Sequence, residues 1–170
     1  YKNNVEMKRW FALYVQPRKE KVVEQELLKR GYEVYLPIKQ VLRQWKDRKK
    51  LIEVPLIPSY IFMNIEEREM WDIVRINGCV KFIWFNGKPC PIPDNQIDSI
   101  KLLLEKKVEI EQTSINPSSG DLVRIIEGDF TGLVGVFLHK KEKNNFAVRI
   151  SSLGIDLTIT IDESNFELVE

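Results

Sequence analysis

The chain has 170 residues, of which 44% are hydrophobic and 30% charged. This is a folding composition that excludes a disordered chain, and the length suits one ordinary domain or two small ones. Formal net charge is +1, from 26 basic and 25 acidic residues, so any preference for an anionic partner must come from local distribution.

Residues 10–15 are aromatic and β-branched and read as a first strand, ended by Pro17. Residues 18–30 are rich in helix formers, with Val23 and Leu27 on one face and Gly31 as the stop. Residues 32–36 read as a second strand. Residues 38–45 and 51–54 flank the basic stretch 46–50 and predict a hairpin with a charged tip. Residues 60–64 are an apolar, central strand. Residues 66–76 predict a second helix with Met70, Ile73 and Val74 at packing spacing, closed by Asn77-Gly78. Residues 80–85 form another strand, and Asn86-Gly87 turns the chain. A third helix is expected over residues 95–106, with Asp94 able to cap it.

Residues 109–119 are polar and end in Asn116-Pro117-Ser118-Ser119, which marks a linker. From Gly120 the pattern is all β. Residues 122–126, 134–138, 146–150, 157–161 and 166–169 give five short strands, with glycines 128, 132, 135 and 154 at turns or bends. A small closed barrel is expected, because closure removes aggregation-prone edges.

The residues point to binding rather than catalysis. His139 is the single histidine, without partners at metal-ligand spacing. No serine sits in a nucleophile elbow, and the glycine-rich run 128–135 lacks the lysine and serine or threonine of a phosphate loop. No cofactor, metal or acid/base pair is implied. Cys79 and Cys90 form no disulfide framework, and no run is apolar enough to span a membrane. Residues 1–9 lack the core of a signal peptide. A cytoplasmic monomer with reduced thiols is the expectation, and the missing initial Met suggests an incomplete or processed chain.

Two surfaces stand out. Lys39, Arg43, Lys46, Arg48, Lys49 and Lys50 surround Trp45 against one acid, Asp47. Such a tip suits phosphates and a stacked base, or is simply a solvated loop with Trp45 folded back. Arg18, Lys19 and Lys21 open the first helix, against its dipole. The second surface is apolar: Tyr14, Ile57, Pro58 and Tyr60 form a docking patch if exposed, and core if not.

Three segments in order resemble the NusG/Spt5 family of transcription elongation factors. They are Trp10-Phe11-Ala12-Leu13-Tyr14-Val15, then Pro55-Leu56-Ile57-Pro58-Ser59-Tyr60-Ile61-Phe62, then Gly120-Asp121-Leu122-Val123-Arg124-Ile125 with Gly128-Asp129-Phe130-Thr131-Gly132-Leu133-Val134-Gly135-Val136. The last is similar to the family's KOW motif. The resemblance implies an α+β fold. An NGN domain over residues 9–108 would hold a mixed or antiparallel sheet of about four strands, a basic hairpin and three helices. A linker over residues 109–119 would lead to a five-stranded, SH3-like KOW β-barrel over residues 120–170.

The resemblance also implies function. The NGN domain would dock on the clamp helices of the RNA polymerase largest subunit through Tyr14, Ile57, Pro58 and Tyr60, with Phe82 and Phe85 as further members. Arg18, Lys19, Arg43, Trp45, Lys46, Arg48, Lys49, Lys50 and Asn77 would contact non-template DNA or nascent RNA. Phe130 and Leu133 would recruit a KOW partner such as ribosomal protein S10 or Rho. Ser59 stands where the family usually has glycine, and Asp129 where proline is frequent before Phe130. Together with the basic Trp45 hairpin, Ser59 favours a specialised antiterminator similar to the UpxY-like group of capsule and exopolysaccharide loci, and less so to RfaH and LoaP. A general elongation factor, or a KOW-containing ribosome- or RNA-binding protein, is the alternative.

Overall fold

A computed structural model describes residues 7–115, 120–140, 143–161 and 166–169. The chain divides into two compact units, Tyr1–Pro93 and Asp94–Glu170.

In the first unit, β1 (Arg9–Val15) is the central strand. It pairs antiparallel with β5 (Tyr60–Ile65) on one side, and with β6 (Cys79–Phe82) and β9 (Pro91–Ile92) on the other. β2 (Glu33–Tyr35) extends the sheet beyond β5, giving the order β2-β5-β1-β6. Every pairing is antiparallel. β1 and β5 read as nearly continuous apolar runs because both their faces are covered.

Helix α1 (Glu20–Lys29) lays Val23 and Leu27 into a core with Phe11, Leu13, Ile61, Met63 and Phe82. Its end follows the sequence signal closely. Gly31 takes φ 88°, Tyr32 N–H donates to the Leu27 carbonyl and Gly31 N–H to that of Leu28. That pair of bonds is a Schellman stop. The start differs from expectation: Arg18 and Lys19 precede the helix instead of opening it.

The helix expected over residues 66–76 is broken up. A 3₁₀ turn at Glu67–Glu69, with a Glu66/Glu69 capping box, leads into a four-residue helix α2 (Met70–Ile73). Ile76 N–H then bonds the Ile73 carbonyl, a tight three-residue spacing that ends the helix early. The strand expected over 80–85 also divides. β6 ends at Phe82, and β7 (Trp84–Phe85) pairs with β8 (Lys88–Pro89) across Asn86-Gly87. Both turn residues have positive φ, 52° and 73°, as a tight two-residue hairpin requires.

The basic segment forms its own two-stranded sheet, β3 (Ile38–Gln44) with β4 (Lys49–Pro55). This is the expected hairpin.

In the second unit, α3 (Asp94–Glu105) buries Ile97, Ser99, Ile100 and Leu103 and packs on β13 (Lys143–Ile150). The α3 helix, which falls inside the expected N-terminal domain of residues 9–108, belongs to the second compact unit. Within the expected linker, Glu111–Ser114 forms a strand, β10, paired with β14 (Ile155–Ile161). An edge strand binds through its backbone, so polar side chains do not prevent it. The rest of that linker, residues 116–119, lies outside the described residues, as does part of the charged loop after His139.

The sheet order is β10-β14-β13-β12-β11-β15, where β11 is Asp121–Ile125, β12 is Val134–Lys140 and β15 is Phe166–Leu168. The five expected strands are present with β10 as a sixth. The expected closed barrel is not: among the described residues no pairing joins β10 to β15. β15, three residues long, pairs only with β11. Phe146, Val148, Ile150, Leu157 and Ile159 are buried in this unit.

Candidate binding surfaces

Two turns organise one end of the first sheet. In Gln16-Pro17-Arg18-Lys19, Lys19 N–H donates to the Gln16 carbonyl at 3.1 Å, and Arg18 has φ 66°. In Ile57-Pro58-Ser59-Tyr60, Tyr60 N–H donates to the Ile57 carbonyl at 3.3 Å, and Ser59 has φ 69°. Proline in second place and a positive φ in third are the marks of a type II turn. Glycine is the natural third residue, which gives the family's glycine at the Ser59 position a backbone reason.

The two turns are fastened together. Val15 N–H donates to the Ser59 carbonyl at 2.8 Å, and Ser59 N–H donates to Oε1 of the buried Glu20 at 3.0 Å. Gln16 N–H bonds the Gly78 carbonyl at 2.9 Å, which brings exposed Asn77 beside this end of the sheet. Gly78 sits close under α1: a Cβ there would meet Val23 Cγ2 at 2.6 Å. Arg18, Lys19, Asn77 and Pro58, scattered in sequence, thus belong to one neighbourhood.

The apolar surface is narrower than expected. Tyr14 and Tyr60 are direct cross-strand partners, half-buried, with rings edge-on at 5.5 Å and 62°. Burial and the neighbouring Tyr14 push the Tyr60 phenol above its ordinary pKa. Pro58 is exposed. Ile57 is not available: it is 2% exposed, because the turn directs it inward as it turns Pro58 outward. Phe82 is likewise buried, opposite Leu13 in the sheet. Phe85 is strongly exposed on the β7–β8 hairpin, beside exposed Trp84. The pattern reading does not single out Trp84 or the exposed Trp71, because an aromatic residue in a strand or helix run reads as core.

The basic hairpin stands apart from the main sheet. Trp45 N–H bonds the Arg48 carbonyl at 2.7 Å, and Arg48 N–H returns to the Trp45 carbonyl at 3.4 Å, leaving Lys46-Asp47 as a two-residue tip. Trp45 is 57% exposed and is not folded back onto the sheet. Arg43, Lys46, Arg48, Lys49 and Lys50 are exposed, and among the described residues no ion pair holds any of them. Arg43 and Lys50 stand directly opposite each other, a repulsive cross-strand pair. Near the base, Lys21 Nζ reaches the Glu53 carbonyl at 3.4 Å and its carboxylate at 3.8 Å.

In the second unit, the loop between β11 and β12 carries Phe130, half-buried, and Leu133, buried. Leu133 is therefore a core residue and not a contact surface; its carbonyl accepts Ile125 N–H at 2.9 Å and holds the loop to the sheet. Phe130 keeps some accessible ring.

No group of histidine, cysteine and carboxylate residues suited to a metal occurs among the described residues. Burial raises the Cys79 thiol to about 11, which makes it a poor nucleophile. No helix among the described residues is long and apolar enough to cross a membrane.

The family model NusG, described as "Transcription termination factor nusG", matches residues 8–101. This chain belongs to the NusG family. It is similar to the transcription termination/antitermination protein NusG of Rickettsia typhi, at 25% identity over 99% of this chain and 92% of that protein. The NusG proteins of Xylella fastidiosa strain 9a5c (26% identity, 85% of this chain, 91% of theirs) and Streptococcus pyogenes serotype M3 (25%, 91% and 93%) are also similar. Among solved structures, one described as "Domain interaction in Thermotoga maritima NusG" covers 96% of this chain and 98% of its own, with a TM-score of 0.51 and 22% identity. That likeness supports a NusG-like fold. As a NusG-type termination/antitermination factor, the chain belongs among transcription factors and not enzymes.

Proposed function

We propose that this chain is a specialised antitermination factor of the NusG family, acting at selected operons of the polysaccharide type. The N-terminal unit docks on the clamp helices of the RNA polymerase largest subunit through Tyr14, Pro58 and Tyr60, with Phe85 at the margin. Arg18, Lys19, Asn77 and the basic hairpin engage non-template DNA or nascent RNA. The C-terminal sheet serves as the KOW domain and recruits a partner such as ribosomal protein S10 or Rho through Phe130. Two modest contacts on one chain combine into firm engagement. They hold polymerase in its elongating state and suppress pausing and termination.

The observation that carries this reading is the hairpin. A chain matched by the family model over residues 8–101 projects a tip whose cations have no ion-pair partner among the described residues and whose tryptophan is exposed.

Reconstituted transcription tests the reading. Templates carry a pause and a terminator, with or without candidate operon leaders, and the chain is added to polymerase. Read-through that rises only with a particular leader supports it. Equal action on all templates favours the general factor, and no effect on any template sinks the proposal. Tyr14→Ala should weaken polymerase binding at least fivefold in a chain whose circular dichroism is unchanged. Retained affinity removes Tyr14 from the dock.

A further inference from the structure

The hairpin register separates its residues into two unlike faces. Directly opposite residues of an antiparallel pair point to the same side, and sides alternate along the strand. One face therefore carries, from tip to base, Trp45 with Arg48, Arg43 with Lys50, Val41 with Ile52, and Lys39 with Val54. The other carries Gln44 with Lys49, Leu42 with Leu51, Gln40 with Glu53, and Ile38 with Pro55. The outer half of the first face holds one tryptophan and three cations. The corresponding half of the second holds one cation beside Leu42 and Leu51, which are 60% and 62% exposed.

Resting on the hairpin reading above, we infer that the Trp45 face is a platform for single-stranded nucleic acid. Trp45 stacks on an unpaired base, and Arg43, Arg48 and Lys50 hold the adjoining phosphates. Opposed like charges cost stability in the free chain, and a bound polyanion reverses that cost. The single-stranded preference follows from Trp45. A ring can stack only on a base whose face is open, and paired bases in a duplex hide theirs. A two-stranded ribbon can also enter the duplex major groove, but base edges there are read by polar side chains. Behind the cations this face offers Val41 and Ile52 instead.

The test needs no polymerase. Fluorescence anisotropy is measured on the full chain with one mixed-sequence oligonucleotide supplied as single-stranded DNA, single-stranded RNA and duplex DNA. Either single strand should bind more tightly than the duplex, and the tighter of the two identifies the natural strand. Trp45→Ala should weaken single-strand binding about tenfold, whereas Trp45→Phe retains most of it. Each phosphate contact contributes about 0.7 to the slope of log affinity against log salt, so Arg43→Gln with Lys50→Gln should lower that slope by about 1.4. Lys49→Gln removes equal charge per residue from the other face and should lower the slope by less than Arg43→Gln or Lys50→Gln does singly.

Duplex binding as tight as single-strand binding overturns the inference. So does a Lys49→Gln loss equal to that of Arg43→Gln, which would mean diffuse attraction without a face. Failure here with leader-dependent read-through intact removes the platform and leaves the antitermination reading standing. Single-strand binding that follows the face, with no effect on transcription, does the reverse.

Discussion

Ser59→Gly should stabilise the N-terminal unit, although it removes a side chain from a partly buried position. Ser59 holds φ 69°, a left-handed conformation that costs a residue with a Cβ roughly 1–2 kcal/mol. Glycine removes that cost but gains freedom in the unfolded chain, an offset of about 0.4–1 kcal/mol. Among the described residues the Ser59 hydroxyl has no hydrogen-bond partner, while its backbone N–H to Glu20 survives the change. The net gain is about 0.5–1 kcal/mol, a rise of about 2–6 °C in Tm for a unit of this size. Differential scanning calorimetry on the full chain measures it. Glu20→Ala should act in the opposite direction, by about 1–2 kcal/mol, because it strands the Ser59 N–H. Glu20→Gln keeps an acceptor and should recover most of that loss. A lower Tm for Ser59→Gly, or a Glu20→Ala chain as stable as the parent, refutes the turn as the seat of the strain.

Three further outcomes follow from the structure. Arg149 makes a two-pronged bond to Asp156 at 2.9 and 3.0 Å, and the Asp156 side chain is 2% exposed, so Asp156→Ala should cost about 3 kcal/mol in urea unfolding of the second unit. Gly135→Ala should destabilise the same unit by about 1–3 kcal/mol, because a Cβ there would lie 2.4 Å from the Ala147 carbonyl oxygen and 2.5 Å from the Phe146 ring; an unchanged urea midpoint contradicts the packing. Burial raises the Tyr35 phenol from 10 to about 12. Between those values the unfolded chain ionises while the folded one keeps its proton, so stability falls as pH rises from 10 to 12. Tyr35→Phe should flatten that fall in pH-dependent chemical unfolding, and an unaltered slope assigns the loss to other groups.

What the sequence discloses depends on whether a residue's signal lies in its type or in its direction. Helix α1 was legible because Val23, Leu27 and Gly31 each carry a local rule: spacing for the face, glycine for the stop. The hairpin was legible because two β-prone runs bracket a charged tip. Strand β10 was not, since Glu111-Gln112-Thr113-Ser114 joins the sheet by backbone alone and its composition matches a linker. The early end of α2 was equally hidden, because Met70, Ile73 and Val74 keep helical spacing even where the bonds tighten after Ile73.

The docking surface shows the limit most clearly. Ile57 and Pro58 are adjacent and both apolar, so no scale of hydrophobicity can assign one to the core and the other to solvent. The type II turn does so, and that turn depends on Ser59 accepting a conformation usually left to glycine. Strand register likewise separates Lys49 from Lys50. They are identical in type and consecutive in sequence, yet the pairing of Lys50 with Arg43 puts them on opposite faces of the hairpin. A charge count over residues 39–50 says that an anion can be attracted. Only the register says on which side Trp45 and its neighbouring cations would meet it, and selectivity for an open base depends on their sharing that side.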